Sequence, residues 1–217
     1  MVEDNLKRIL KELPPGVKLV AVSKFHPAQD IMEAYSAGQR LFGENRPQEF
    51  AAKFPVLPAD IEWHFIGHLQ TNKLKYVLPY ASLVESIDSP HLLEAVEKWG
   101  SEHDKVIDVL LELHLGAEET KGGLTEEEIT GILCQPQSFR HVRFRGLMGM
   151  ATNTDDASVV ENDFERIEAF KKHLDSVFAL PDFTELSICM SHDWDLAVRH
   201  GATIVRIGTA IFGPRVY

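Results

Sequence analysis

The sequence predicts an α/β protein built as one closed (β/α)8 barrel, with residues 1–217 forming a single domain. Short apolar runs of strand character alternate with longer amphipathic segments along the whole chain, and eight such pairs can be counted. The strand runs are almost continuously apolar, which is typical of parallel strands buried on both faces. Alternating strands and helices imply right-handed crossovers, and eight units favour a closed barrel over an open sheet.

The elements follow in a regular order, beginning with a helix over residues 2–13 that ends before Pro14-Pro15-Gly16. The strands are predicted at 19–23, 41–44, 63–67, 83–87, 106–115, 144–150, 185–190 and 204–208. Helices are predicted at 28–37, 90–99, 159–178 and 193–200, after strands 41–44 and 63–67, from Thr125, and as one short turn at the end. Gly38 and Gly201 stand where a left-handed residue would end a helix.

Composition narrows the possible functions. The formal charge of −11 argues against non-specific binding to nucleic acid or to an anionic membrane. No apolar run approaches the roughly 20 residues of a membrane span, and the amino-terminal residues lack the apolar core of a signal peptide. Cys134 and Cys189 have no metal-ligand spacing and are expected to be reduced thiols. We therefore expect a cytoplasmic protein without a metal site.

Chemistry in such a barrel lies where strands end, and Lys24 follows the first apolar strand directly. Apolar surroundings would lower the pKa of its amine, and a less protonated amine is what imine formation with an aldehyde requires. The alternative is a lysine whose stem runs from the strand end to solvent.

The last two strand ends carry features of an anion site. Gly208-Thr209 stands where a strand turns into a short helix, whose N–H groups and dipole favour a phosphate. Ser191 is a candidate phosphate ligand, a helix N-cap, or both. An ordinary tight turn at Gly208-Thr209 is the alternative.

Arg206 precedes Gly208 by two residues and therefore shares its face, inside the barrel or at its mouth. A buried guanidinium needs an acceptor, and the nitrogen of a pyridine cofactor would serve. The alternative is a structural ion pair with an interior carboxylate such as Glu44.

Seven segments, taken together and in order, resemble the pyridoxal phosphate homeostasis protein family, whose barrel is similar to the amino-terminal domain of alanine racemase. These segments are AVSK at 21–24, FGENRPQE at 42–49, WHFIGHLQTNK at 63–73, ETKGG at 119–123, GLMGMA at 146–151, MSHD at 190–193 and VRIGTAIFG at 205–213.

The resemblance implies that Lys24 carries pyridoxal 5′-phosphate (PLP) as an internal aldimine. It also implies that Ser191, Gly208 and Thr209 hold the phosphate, that Arg206 approaches the pyridine nitrogen, and that Asn45 lies near the cofactor. Lys73 and Lys121 are candidates for a secondary or transient cofactor contact.

The chain departs from the family at Cys189, where glycine is usual and a side chain would crowd the loop, and at Arg46-Pro47, which replace the more frequent Tyr-Val. The resemblance assigns no chemistry to the two histidines near the third strand. We expect His64 to be a hydrogen-bonded core residue and His68 to lie at the rim.

The function that the resemblance implies is reversible PLP binding, buffering and delivery to apoenzymes by a monomer, without robust catalysis. A racemase of this fold requires two bases on opposite faces of the cofactor. In alanine racemase the second base is a tyrosine from another domain, and we expect no such domain here after Tyr217. A weak amino-acid racemase remains one alternative. A Schiff-base aldolase acting on a phosphosugar is the other, and it would leave Arg206 unexplained.

Overall fold

Eight parallel strands close into a barrel in the computed structural model, which describes residues 1–116, 122–189 and 193–214. The strands are β1 (Lys18–Val22), β2 (Leu41–Glu44), β3 (Glu62–Phe65), β4 (Leu83–Ile87), β5 (Ile107–Leu113), β6 (Val142–Gly149), β7 (Glu185–Ile188) and β8 (Ile204–Ile207). Each strand pairs with its successor in the chain, and β8 pairs with β1. The predicted fold class is confirmed.

Helices connect the strands on the outside of the barrel. They are α1 (Val2–Glu12), α2 (Ala28–Ser36), α3 (Pro47–Lys53), α4 (Pro90–Glu102), α5 (Glu126–Leu133), α6 (Ala157–Val177), α7 (Trp194–Arg199) and α8 (Thr209–Phe212). Short 3-10 helices lie at Phe54–Val56, Thr71–Tyr76 and Pro136–Ser138. Among the described residues, no helix is long and apolar enough to cross a membrane.

Local sequence signals explain where several helices begin and end. Gly38 and Gly201 have φ angles of 104° and 81°, as expected of residues that end helices in the left-handed conformation. Thr125 and Glu128 form a reciprocal capping box at the start of α5. The connection after β3 is a 3-10 helix over Thr71–Tyr76 and not the α-helix expected there.

Two apolar layers enclose the strands. The alternation of side chains puts Leu19 and Ala21 into the large core between strands and helices, while Val20 and Val22 point into the barrel. The barrel interior is filled by one apolar cluster, namely Val20, Val22, Leu83, Leu110, Met148 and Ile204. The polar side chains described below share the barrel interior with this cluster, since Arg206 pairs with Val20, and Ser187 pairs with Met148 and Ile204.

Candidate functional site

A hydrogen-bonded polar layer crosses the barrel interior. Arg206 Nη1 donates to the carbonyl oxygen of Ser187 at 2.8 Å and to its Oγ at 2.6 Å, and Nη2 donates to the carbonyl oxygen of Gly149 at 3.0 Å. Glu85 accepts from His64 Nδ1 and from Ser187 Oγ, each at 2.5 Å. This layer fixes the guanidinium of Arg206 in the interior, on the face that its spacing from Gly208 predicts.

The carboxylate nearest to Arg206 is Glu85, whose Oε2 lies 3.6 Å from Nη1. The alternative of a structural ion pair with an interior carboxylate is confirmed, but the partner is Glu85 and not Glu44, which pairs with Lys53. Glu44 follows the inward-facing Gly43 on β2, so its own side chain points outward toward α3. Burial opposes ionisation of Glu85, but the hydrogen bond from His64 and the charges of His64 and Arg206 outweigh it and lower the pKa.

His64 is buried and hydrogen-bonded, which confirms the expected core role. Arg206 Nε donates no hydrogen bond to the part of the chain that the structure describes. One edge of the guanidinium therefore remains available to a ligand.

Lys24 lies in a sharp turn after β1, partly buried. The next residue, Phe25, has a φ of 66°, a left-handed conformation that non-glycine residues rarely adopt. Its N–H donates to Glu49 Oε2 at 3.0 Å, and the Arg46 guanidinium lies 4.2 Å from the centre of its ring. These contacts hold the strained turn that sets the direction of the Lys24 side chain.

A buried lysine holds the other side of the same turn. Lys53 Nζ donates to the carbonyl oxygen of Ser23 at 2.9 Å and to Glu44 Oε1 at 2.5 Å, while Ser23 Oγ donates to the same carboxylate at 2.7 Å. Burial raises the pKa of Glu44, and the charge and hydrogen bonds of Lys53 offset this only in part. Sequence reasoning passed over Lys53, although its i,i+4 spacing from Glu49 was visible.

Asn45 follows β2 and is partly buried. Its Oδ1 is buried and has no hydrogen-bond partner among the described residues. A Cβ at Gly67 would lie 2.2 Å from the carbonyl oxygen of Asn45, so only glycine allows the two segments to meet. A buried acceptor without a donor is rare in folded proteins and marks a place where a ligand donor would fit.

Gly208 and Thr209 form the junction of β8 and α8. The N–H groups of Thr209 and Ala210, in the first turn of α8, donate no hydrogen bond within the described residues. A Cβ at Gly208 would approach the Val22 carbonyl oxygen at 3.2 Å, so the end of β1 lies directly against this turn. Lys24 and the α8 turn therefore share one side of the mouth.

Ser191 and Lys121 lie outside the described residues. The N-cap residue of α7 is Asp193. Lys73 is partly exposed, with its ammonium 5.8 Å from the centre of the Tyr76 ring.

Cys189 has a φ of 116°, in the region that favours glycine. Its buried Sγ accepts a hydrogen bond from the Arg206 N–H at 3.3 Å, and burial raises the pKa of the thiol to about 12. The thiol is therefore not a nucleophile. The departure from the family's glycine costs backbone strain at this position.

We expect Cys189→Gly to be more stable than Cys189→Ala by about 1 kcal/mol, because only glycine adopts this φ without strain. Urea unfolding of both variants measures the difference. Cys134, in ordinary right-handed helical geometry, supplies the control. There the alanine variant is expected to be the more stable of the pair, and the same order at both positions would contradict the strain at Cys189.

Three polar side chains line the mouth on the side of β3 to β5. The ring of His68 is 70% exposed and lies at the rim, as expected, and its Nδ1 donates to Asp88 Oδ2 at 2.6 Å. Glu112 on β5 is 6% exposed. Burial, together with the charge of Asp88, raises its pKa to about 7. Sequence reasoning missed Glu112, although a glutamate between leucines in an apolar strand was a signal.

Glu112 is expected to make stability fall as pH rises. Its pKa in the folded state, about 7, exceeds the ordinary value of 4.5. Between these two values the unfolded chain releases a proton that the folded chain retains, so stability falls by about 3 kcal/mol and then stays level. We expect Glu112→Gln to unfold like the wild type near pH 4.5 and to be more stable by about 3 kcal/mol near pH 8.

Urea titrations at both pH values test this expectation. Glu62→Gln, at an exposed position on the first residue of β3, is the control for the loss of one charge. An equal gain in the two variants at the higher pH would assign the effect to net charge and not to burial of Glu112.

Known proteins resemble the chain along its whole length. The model of the family "Alanine racemase, N-terminal domain" matches residues 1–216. A pyridoxal phosphate homeostasis protein of Aquifex aeolicus is 39% identical over 203 residues, 92% of this chain and 88% of the relative. One from Pasteurella multocida is 38% identical over 224 residues, covering 100% of this chain and 95% of the relative.

Solved structures agree with these matches. PipY of Synechococcus elongatus is 37% identical, and its structure without PLP superposes with a TM-score of 0.92 over 98% of this chain and 100% of PipY. The PipY structure with PLP bound gives a TM-score of 0.89 over the same shares. Alanine racemase of Corynebacterium glutamicum, 18% identical with a TM-score of 0.75, covers 99% of this chain and 60% of that enzyme and shares the fold.

Proposed function

The chain belongs to the family of pyridoxal phosphate homeostasis proteins, and on this premise we propose that it binds PLP reversibly, with Lys24 forming an imine to the cofactor's aldehyde. The observation that carries the proposal is the adjacency of Lys24, Arg206 and the α8 turn. Lys24 follows β1 by two residues, Arg206 lies on β8 and the α8 turn follows β8, and these two strands pair with each other in the closed barrel.

The described residues fit the parts of PLP. The lysine turn supplies an amine for the aldehyde, and the unpaired edge of Arg206 faces the interior for the pyridine nitrogen. Thr209 and Gly208 provide a helix start for the phosphate, with Ser191 proposed beside them. The buried Oδ1 of Asn45, which has no donor among the described residues, can accept a hydrogen bond from the cofactor's hydroxyl group. When bound, the cofactor supplies a reactive aldehyde, and the protein's residues bind and orient it.

We propose that binding and release, rather than turnover, are the main activity. A racemase requires a second base facing the first across the cofactor. The Tyr35 hydroxyl donates to Asp60, and the Tyr80 ring stacks on Phe54 with ring centres 4.4 Å apart. Because these contacts hold both tyrosines, neither is placed to act as the second base, which supports binding over racemisation. Incubation with single amino-acid enantiomers tests this, and PLP-dependent loss of optical activity at ordinary enzymatic rates would contradict it.

An absorption spectrum of the purified protein with added PLP tests the central proposal. We expect a visible imine band that disappears on borohydride reduction and leaves the cofactor covalently attached. Competition with a PLP-dependent apoenzyme, added without reductant, then measures delivery by the recovered activity of that enzyme. If no imine band appears at saturating PLP, the proposal is contradicted.

Further parts of the proposed function are a cytoplasmic location, a single domain, a monomeric state and delivery of PLP to apoenzymes. Arg206 favours the pyridine cofactor over a phosphosugar, since an aldolase would have no use for its free edge. Lys73 and Lys121 are proposed as sites of transient cofactor contact.

A further inference from the structure

Glu112 and Asp88 lie next to each other at the barrel mouth, on the side opposite Lys24. Ile87 of β4 pairs with Leu111 of β5, so the residues that follow each of them stand level on neighbouring strands. In the closed barrel β5 is four strands from β1 in either direction. A ligand held by these carboxyl groups therefore faces the Lys24 side of the mouth.

The Glu112 carboxyl differs from the other buried carboxyl groups of the barrel interior. Glu85 accepts hydrogen bonds from His64 and Ser187, whereas the carboxyl group of Glu112 accepts none from any described residue, although the residue is only 6% exposed. A buried carboxylate without donors is costly to desolvate. Such a group indicates that a donor from outside the protein belongs beside it.

Asp88 also has accepting capacity left. Its side chain is 9% exposed, and Oδ2 accepts from His68 while Oδ1 accepts from none of the described residues. Gly122 lies beside it, since a Cβ there would be 3.3 Å from Oδ2. Two neighbouring carboxyl groups with free lone pairs attract a compact cation with several N–H donors.

The surrounding groups limit which cation fits. Arg206 approaches from β8, His68 from the loop after β3, and His114 lies on the β5 side with Nδ1 donating to the Gly122 carbonyl oxygen at 3.3 Å. Among residues 1–116, 122–189 and 193–214, no three acidic, histidine or cysteine side chains are placed to share a metal ion. A primary ammonium, with three donors and one charge, suits two acceptors better.

We propose that Glu112 and Asp88 form a binding site for a primary ammonium group, which they hold at the barrel mouth opposite Lys24. Free amino acids and lysine side chains of other proteins carry this group. Binding there is non-covalent and does not depend on the imine at Lys24, so the two are tested separately. Alongside the proposed cofactor, the site would bring amines to the mouth where PLP is exchanged.

Carboxyl 13C NMR of protein purified without cofactor tests the site, with methylammonium as the probe. The Glu112 signal is assigned by its loss in Glu112→Gln. We expect saturating methylammonium to lower the measured pKa of Glu112 by about one unit, because a nearby positive charge favours the ionised form. Tetramethylammonium has the same charge but no N–H donors, and it is expected to leave that pKa unchanged.

Two variants distinguish binding at Glu112 and Asp88 from an effect of the protein's overall negative charge. Asp88→Asn is expected to weaken methylammonium binding at least about tenfold, since a charged hydrogen bond is lost. Glu62→Gln, at the far end of β3, is expected to bind like the wild type. The proposal is overturned if Glu112 titrates identically with and without methylammonium, or if tetramethylammonium shifts it equally. A free amino acid and a lysine-containing peptide, titrated in parallel, show which source binds.

Discussion

Lys24→Ala is expected to lose the borohydride-stable PLP adduct completely, because alanine offers no amine for the imine. Lys24 is partly buried in the turn after β1. The hydrogen bonds of that turn are made by the Ser23 carbonyl oxygen and the Phe25 N–H, so truncation of the Lys24 side chain leaves them in place. The fold should therefore survive while covalent binding is lost. Mass spectrometry after reduction measures the adduct, and urea unfolding measures stability.

Lys73→Ala is the control, since it removes a different family-like lysine and should retain the full adduct. Peptide mapping of the reduced wild type locates the modified residue. An undiminished adduct in Lys24→Ala, or one mapped to Lys73 or Lys121, would transfer the covalent role to that lysine.

Lys53→Met is expected to destabilise the protein by about 3–5 kcal/mol, because it leaves the fully buried Glu44 carboxylate with only Ser23 Oγ as a partner. The folded pKa of Glu44, already raised by burial, would rise further, so the loss should shrink as the pH falls through it. Because Lys53 also holds the Ser23 carbonyl, the imine band of the variant should weaken too. Urea unfolding and PLP titration measure the two effects.

Lys171→Met provides a matched comparison. Both lysines are 9% exposed, but Lys171 pairs with Asp175, whose side chain is 51% exposed. Solvent can replace that partner, so a loss of about 1 kcal/mol or less is expected. The double variant Lys53→Met, Glu44→Leu should recover most of the stability, since neither charge remains buried. Equal losses at Lys53 and Lys171 would contradict the role of Glu44.

Strand and helix positions were largely predictable because each depends on local periodicity. Strands β2 and β4 have the predicted bounds, and the other strand boundaries differ by one to several residues. The largest helix difference is α4, which continues past Trp99 to Glu102. In this extension Gly100 packs against His141, where a Cβ would lie 2.7 Å from that residue's Cβ. A contact between residues far apart in the chain is not visible in local periodicity.

For the candidate site, too, local sequence patterns predicted the positions of residues but not their partners. The positions of Lys24, Asn45, Arg206 and Gly208 at strand ends follow from strand alternation, and alternation is local. The partners of these residues do not follow from it, which is why the sequence could offer Glu44 only as an example of an interior carboxylate for Arg206, whereas the structure pairs Arg206 with Glu85. Lys53 and Glu112 were missed because their importance comes from burial among groups on other elements.

The sequence by itself determined a closed barrel and the polar residues at its mouth, because hydrophobic periodicity and the order of motifs are written along the chain. The tertiary structure decided which charges meet. It placed Lys53 behind the Lys24 turn, Glu85 against Arg206 and Glu112 beside Asp88. Desolvation and pairing of charges depend on distances through space, and barrel closure sets those distances between strands that are distant in sequence.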